Sequence, residues 1–208
     1  MKLLWISGWA VPPTWLAEQA HAAFPDAKHD AVSPAEATAT LGQKKYDALG
    51  GYSLGALWLL MHAEKLSETV PVILLAPIFS FAVENGDGGR ITLAQLRLQR
   101  RRCRHDPAAA VADFYRRSGL ENIVPAVSNL TASQTAALDT ELGWLENWRA
   151  PAPPPKHWLG FAGENDALLD AGKLQEKWPD LRIVPATGHA PGPLLRAAAG
   201  EFPLKARQ

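Results

Sequence analysis

The sequence predicts an α/β fold, with a mostly parallel sheet covered by helices on both faces and interrupted once by a helical insertion. Three observations point to it. Apolar runs of strand length alternate with helical patterns at both ends of the chain. Residues 70–76 form one unbroken apolar run, as a parallel strand buried on both faces requires. Residues 80–155 then turn helical, with no convincing strand. The expected division is a core of residues 1–79 and 156–208 carrying a helical lid over residues 80–155.

Taken in order, residues 3–6 read as the first strand, stopped by Ser7-Gly8. Pro12, Pro13 and Thr14 open a helix in which Thr14 is the expected cap; Leu16, Gln19, Ala20 and Ala23 follow at helical spacing. Residues 31–32 read as a short extended piece and residues 46–49 as a second strand. Residues 50–55 read as a tight turn, and residues 56–66, rich in Ala, Leu and Met, as a helix. Within the insertion, helices are expected over residues 90–104, 107–117 and 132–148. The proline run at 150–155 is a stiff connector. Strands at 157–162 and 181–184 flank a helix at 171–178.

A chain of 208 residues suits one domain with a single core. Its 47% apolar and 20% charged content is that of a globular protein. The 21 basic and 21 acidic residues cancel, so no overall field draws nucleic acid. Cys103 is the sole cysteine, which excludes an intrachain disulfide. The apolar start at residues 1–6 is too short for a secretion signal, so a reducing cytoplasm is the expected setting. No apolar stretch reaches the roughly 18 residues that a membrane span needs.

Gly51-Tyr52-Ser53-Leu54-Gly55 fits the pattern G-x-S-x-G between a predicted strand and a predicted helix. The spacing has a steric reason. The chain must reverse from strand to helix with the serine strained at the tip, and glycines on either side remove the Cβ atoms that would collide. Ser53 is the candidate nucleophile. The Leu54 N–H, opening the following helix, is a candidate oxyanion donor. After a turn of this kind the acid and then the histidine follow along the chain. Asp166 stands just past the strand at 157–162 and is the candidate acid, with Glu164 and Asp170 as competitors. His189 lies on the loop after the last strand, between Gly188 and Pro191, and is the candidate base. His21, His29, His62, His105 and His157 lack that placement and read as surface or core-edge residues. Trp9, after the first strand, offers the second oxyanion N–H, and Gly8 allows close backbone approach.

With these residues in place, the chain resembles α/β-hydrolases over nearly its full length. Within that class it looks most like the pimeloyl-acyl-carrier-protein methyl ester esterases of biotin synthesis. The resemblance rests on Gly8-Trp9, Gly51 to Gly55, the Gly163-to-Asp166 loop and Gly188-His189-Ala190-Pro191. More loosely it extends to Phe114-Tyr115-Arg116-Arg117-Ser118. The chain departs from the family pattern in two places: Ser7 stands where the family carries a histidine, and the two strands that normally precede the first strand are not expected here, which leaves a shortened sheet. The resemblance implies a serine carboxylesterase acting on a small acyl ester, with substrate contacts at Trp9, Phe114, Arg117 and Ser118. No metal or organic cofactor is implied.

Arg97, Arg100, Arg101, Arg102 and Arg104 share one predicted helix. Such a cluster is either a solvated face or a docking surface for an acidic acyl carrier protein, with Arg97, Arg100, Arg101 and Arg104 as the expected contacts. The absence of aromatic interleaving argues against nucleic acid. The same triad would equally serve a thioesterase, a carbon–carbon hydrolase or a perhydrolase, and the scaffold could instead hold a ligand without turnover.

Overall fold

The computed structural model describes residues 1–151 and 153–202. Residue 152 of the expected connector and residues 203–208 of the expected core lie outside the described residues. Eight strands follow in chain order: β1 (Lys2–Ile6), β2 (Lys28–Val32), β3 (Ala48–Tyr52), β4 (Val72–Leu75), β5 (Ser80–Ala82), β6 (Gly88–Ile91), β7 (Leu159–Gly163) and β8 (Arg182–Val184). Six of them pair in parallel in the order β2-β1-β3-β4-β7-β8. The helices are α1 (Pro13–Ala23), α2 (Pro34–Gln43), α3 (Leu54–Met61), α4 (Leu93–His105), α5 (Pro107–Ser118), α6 (Ala132–Asn147), α7 (Ala171–Lys177) and α8 (Pro191–Glu201).

From β1 the chain moves outward to β2, then returns across β1 to β3 and proceeds the other way. The strand order therefore reverses between β1 and β3, and the crevice beyond their carboxyl ends is where open parallel sheets bind ligands. β3 and β4 are buried along their whole lengths.

The expected turn at residues 50–55 is corrected: Gly50 and Gly51 lie inside β3, and Ser53 alone makes the turn. Packing explains the glycine pair. A Cβ on Gly50 would stand 2.1 Å from the Trp5 ring of β1, and one on Gly51 2.7 Å from the Gly55 carbonyl. Gly55 is equally constrained, because a Cβ there would meet the Ile6 carbonyl at 2.0 Å. These contacts draw the start of α3 against the end of β1.

Two other expectations are corrected. Thr14 does not cap α1; the helix starts at Pro13, with Pro12 at the cap position and no side-chain cap bond. The stretch expected to be a purely helical insertion contains strands, since β5 and β6 form a small parallel pair. They are three and four residues long, and Gly88-Gly89 opens β6, so no alternation marks them. Gly89 is needed because a Cβ there would meet the Phe81 carbonyl at 2.1 Å. α2 has no counterpart among the helices expected from the sequence. Its start signal is present: Ser33 caps it, Pro34 opens it, and the Glu36 carboxylate accepts from the Ser33 N–H at 3.1 Å. Thr38, Thr40 and Gly42 weaken the helical pattern that follows.

β5, β6, α4, α5 and α6 all fall in the crossover from β4 to its neighbour β7. Ion pairs join α4 to α6: Arg97 and Arg100 each meet Glu146 at 2.8 Å, and Arg104 meets Asp139 at 2.8 Å. Among the described residues, no helix is long and apolar enough to cross a membrane.

α6 meets the core at α2 through Glu141, a buried carboxyl against the Ala35 N–H. Burial pushes its pKa up to about 8, and the nearby Glu36 adds to the effect. Between about pH 4.5 and 8 the unfolded chain has therefore lost a proton that the folded chain keeps. This contribution to stability is full below that window and declines as pH rises through it. Glu141→Gln should flatten this decline. Melting temperatures of both proteins across pH 5–9 check it; parallel curves would contradict the assignment.

Candidate active site

Ser53 sits between the last residue of β3 and the first of α3, with φ 54° and ψ −113°. A residue with a Cβ is held there only when its surroundings over-determine it, and such strain concentrates at functional sites. The surroundings are the glycine contacts described above, together with the Ser53 N–H, which donates to the Leu75 carbonyl at 2.9 Å.

Three distant segments meet at this serine. His189 Nε2 lies 3.0 Å from Ser53 Oγ, and His189 Nδ1 lies 2.7 Å from Asp166 Oδ2. The other carboxylate oxygen, Oδ1, accepts from the Leu168 and Leu169 N–H groups at 2.8 and 3.2 Å. Asp166 accepts at both oxygens, so the network assigns the proton on the imidazole to Nδ1 and leaves Nε2 to accept from the serine hydroxyl. Exposure is 5% for Ser53, 2% for His189 and zero for Asp166. In a site this dry, each of these hydrogen bonds is strengthened.

The loops bearing the acid and the histidine are tied to each other. Asn165 N–H donates to the Thr187 carbonyl at 2.8 Å. Gly163 allows the contact, since a Cβ there would stand 2.2 Å from the Gly188 carbonyl. The competing carboxylates have other partners: Glu164 accepts from the Ala186 N–H, and Asp170 caps α7 through the Lys173 N–H. Two positioning contacts carry no local sequence signal because they span the chain. Tyr52 Oη donates to the His189 carbonyl at 3.0 Å, and Arg90 Nη1 donates to the Asp166 carbonyl at 3.1 Å.

The loop after β1 lies against the serine, and a Cβ on Gly8 would be 3.3 Å from Ser53 Cβ. Among the described residues, neither the Trp9 nor the Leu54 backbone N–H donates to a protein acceptor. The Trp9 ring is buried, donating from Nε1 to the Leu138 carbonyl at 3.0 Å and meeting Phe114 edge-on at 4.9 Å. Tyr115 Oη donates to the Ala10 carbonyl at 2.6 Å. α5 and α6 are thus fastened to the loop that borders the serine.

The expected substrate contacts separate. Phe114 reaches the site region through Trp9. Ser118 is turned away, its hydroxyl donating to the Phe114 and Tyr115 carbonyls of its own helix. Arg117 Nη2 contacts Gln99 and Asp113, each at 2.7 Å. The basic cluster is largely compensated. Arg97, Arg100 and Arg104 are paired with Glu146 and Asp139, while Arg101 is exposed and makes no ion pair among the described residues. Residues 80–155 hold nine arginines against eight carboxylates. The cluster looks strongly basic along the chain only because α6 supplies its counter-charges from more than thirty residues away.

No family model matches the sequence, and no curated protein matches it. Solved structures do. An esterase from Exiguobacterium antarcticum superposes with TM-score 0.68 at 12% identity, covering 92% of this chain and 85% of that one. The esterase RhEst1 from a Rhodococcus species gives 0.58 at 15%, covering 97% and 90%. The bottromycin epimerase BotH gives 0.63 at 13%, covering 96% and 89%.

The fold is the α/β-hydrolase fold.

In this fold the binding crevice lies at the carboxyl edge of the sheet, and Ser53, Asp166 and His189 follow β3, β7 and β8 at that edge. Identities this low share architecture and leave the reaction open, as an epimerase among esterases shows. The reaction must be argued from the site.

Proposed function

We propose that this protein is a serine carboxylesterase that cleaves small acyl esters through an acyl-enzyme. The reading rests on one observation: the unbroken hydrogen-bonded line from Ser53 Oγ through His189 to Asp166 Oδ2. His189 Nε2 takes the hydroxyl proton as Oγ attacks the ester carbonyl. Negative charge develops on the carbonyl oxygen, where the Trp9 and Leu54 N–H groups are available as donors, having no protein acceptor among the described residues. The alcohol departs with the proton from His189. Water then enters, loses a proton to the same nitrogen and releases the acid. Asp166 holds the tautomer and offsets the imidazolium charge.

The resemblance extends this reading to a pimeloyl methyl ester delivered on an acyl carrier protein for biotin synthesis, in a cytoplasmic setting. The internal ion pairs of Arg97, Arg100 and Arg104 leave that docking face a weaker field than the arginines alone suggest. BotH supports a second reading, in which the scaffold performs non-hydrolytic chemistry or only holds a ligand.

Rapid mixing with a nitrophenyl ester separates these readings. A serine esterase should release a burst of nitrophenol close to one equivalent per protein, then turn over steadily. Absence of both burst and turnover across short- and medium-chain esters, with ligand binding retained, would favour the second reading.

A further inference from the structure

The loop after β1 makes a tight turn beside the serine. The Val11 N–H donates to the Gly8 carbonyl at 3.1 Å, which puts Trp9 and Ala10 at the centre of the turn. Ala10 has φ 59°. Turns with a positive φ at their third residue favour glycine there, because a Cβ crowds the backbone. An alanine held in this conformation needs support from outside the turn.

That support comes from two helices of the crossover between β4 and β7. Tyr115 of α5 donates from Oη to the Ala10 carbonyl at 2.6 Å. The Trp9 ring donates from Nε1 to the Leu138 carbonyl of α6 at 3.0 Å and rests edge-on against Phe114. Tyr115 is buried, and dry surroundings strengthen its bond. Burial also raises the phenol pKa, so the hydroxyl stays a donor. On the Gly8 side the turn is closed by Tyr52, whose ring would stand 3.1 Å from a Cβ on Gly8. Between these anchors the Trp9 N–H has no protein acceptor among the described residues.

We propose that Tyr115 is a positioning residue for the oxyanion site. Its bond to the Ala10 carbonyl holds the strained turn in the shape that presents the Trp9 N–H, so the seating of α5 decides whether that donor faces the reacting carbonyl. The proposal rests on the esterase reading for the role of the Trp9 N–H. Without the bond, Ala10 relaxes towards negative φ, and rotation of the peptides around Trp9 carries the N–H out of line. A donor displaced in this way should cost less than the roughly 10²–10³-fold of one removed outright.

Tyr115→Phe, alone and combined with Ala10→Gly, tests this. Tyr115→Phe keeps the ring and removes the hydroxyl. It should lower kcat for a nitrophenyl ester about tenfold with KM nearly unchanged, because the donor acts on the transition state. Amide exchange at Val11 should speed up about tenfold, since the bond that closes the turn opens more often. Ala10→Gly, added to Tyr115→Phe, should reverse most of both changes, because glycine takes the positive φ without strain. A tyrosine with a merely structural role would lower the melting temperature and leave kcat at its wild-type value. An unchanged kcat, unchanged exchange at Val11, or a loss that Ala10→Gly does not relieve would overturn the proposal. Failure of the esterase reading looks different: wild-type protein would cleave no ester, while exchange at Val11 still responded to Tyr115→Phe and to Ala10→Gly.

Discussion

Ser53→Ala should lower ester turnover by roughly 10⁵–10⁶-fold while the protein folds as before. The size of the loss follows from Ser53 Oγ being the hydroxyl that His189 Nε2 reaches, at 3.0 Å. His189 and Asp166 are buried in contacts with each other and with backbone groups. Residual activity should come from the N–H donors and from substrate positioning, with water as the attacking group. Folding should hardly change, because the substitution keeps the Cβ that bears the unfavourable φ and removes one hydroxyl whose partner is His189. Melting temperature and turnover are therefore read on the same samples. A turnover loss below tenfold, with folding intact, would show that another group performs the attack.

Asp166→Asn should be nearly as damaging, with turnover lowered by about 10⁴-fold. The amide is almost isosteric, and its carbonyl oxygen can keep the Leu168 and Leu169 N–H groups that Oδ1 now accepts. That leaves the NH₂ facing His189 Nδ1. A donor facing that nitrogen forces the imidazole into the other tautomer, with its proton on Nε2 facing Ser53 Oγ, where it cannot take the hydroxyl proton. The effect should fall on kcat, with little change in KM, since Asp166 has no surface that a substrate reaches. Glu164→Gln and Asp170→Asn, alterations of the neighbouring carboxylates, should each leave turnover within a few-fold of wild type. They hold a loop N–H and a helix start.

The contrast among these three carboxylates shows what the sequence makes legible. The reactive serine is marked by a local steric demand, since only a glycine-flanked turn allows its backbone angles, and such a demand leaves a short pattern. The acid and the histidine are marked by position, each just after a strand near the end of the chain. The fold class follows from the same strand-and-helix alternation. Less legible is whatever depends on partners far along the chain. Gly50 reads as a turn residue until the Trp5 ring is seen across it. The arginines of α4 read as an exposed positive surface until α6 brings Asp139 and Glu146 beside them. Ser118 reads as a substrate contact until its hydroxyl is found bonded within α5. Tyr52 lies inside the recognised motif, yet nothing local indicates that its hydroxyl supports the His189 backbone.

The central claim is that Ser53 Oγ becomes covalently bonded during the reaction, and mass spectrometry of the protein after exposure to a fluorophosphonate tests it most directly. The account predicts one adduct per chain, located on the peptide containing Ser53, that fails to form in Ser53→Ala and forms far more slowly in Asp166→Asn. An unmodified Ser53 in protein that still cleaves esters, or an adduct of equal yield on another residue in Ser53→Ala, would contradict it.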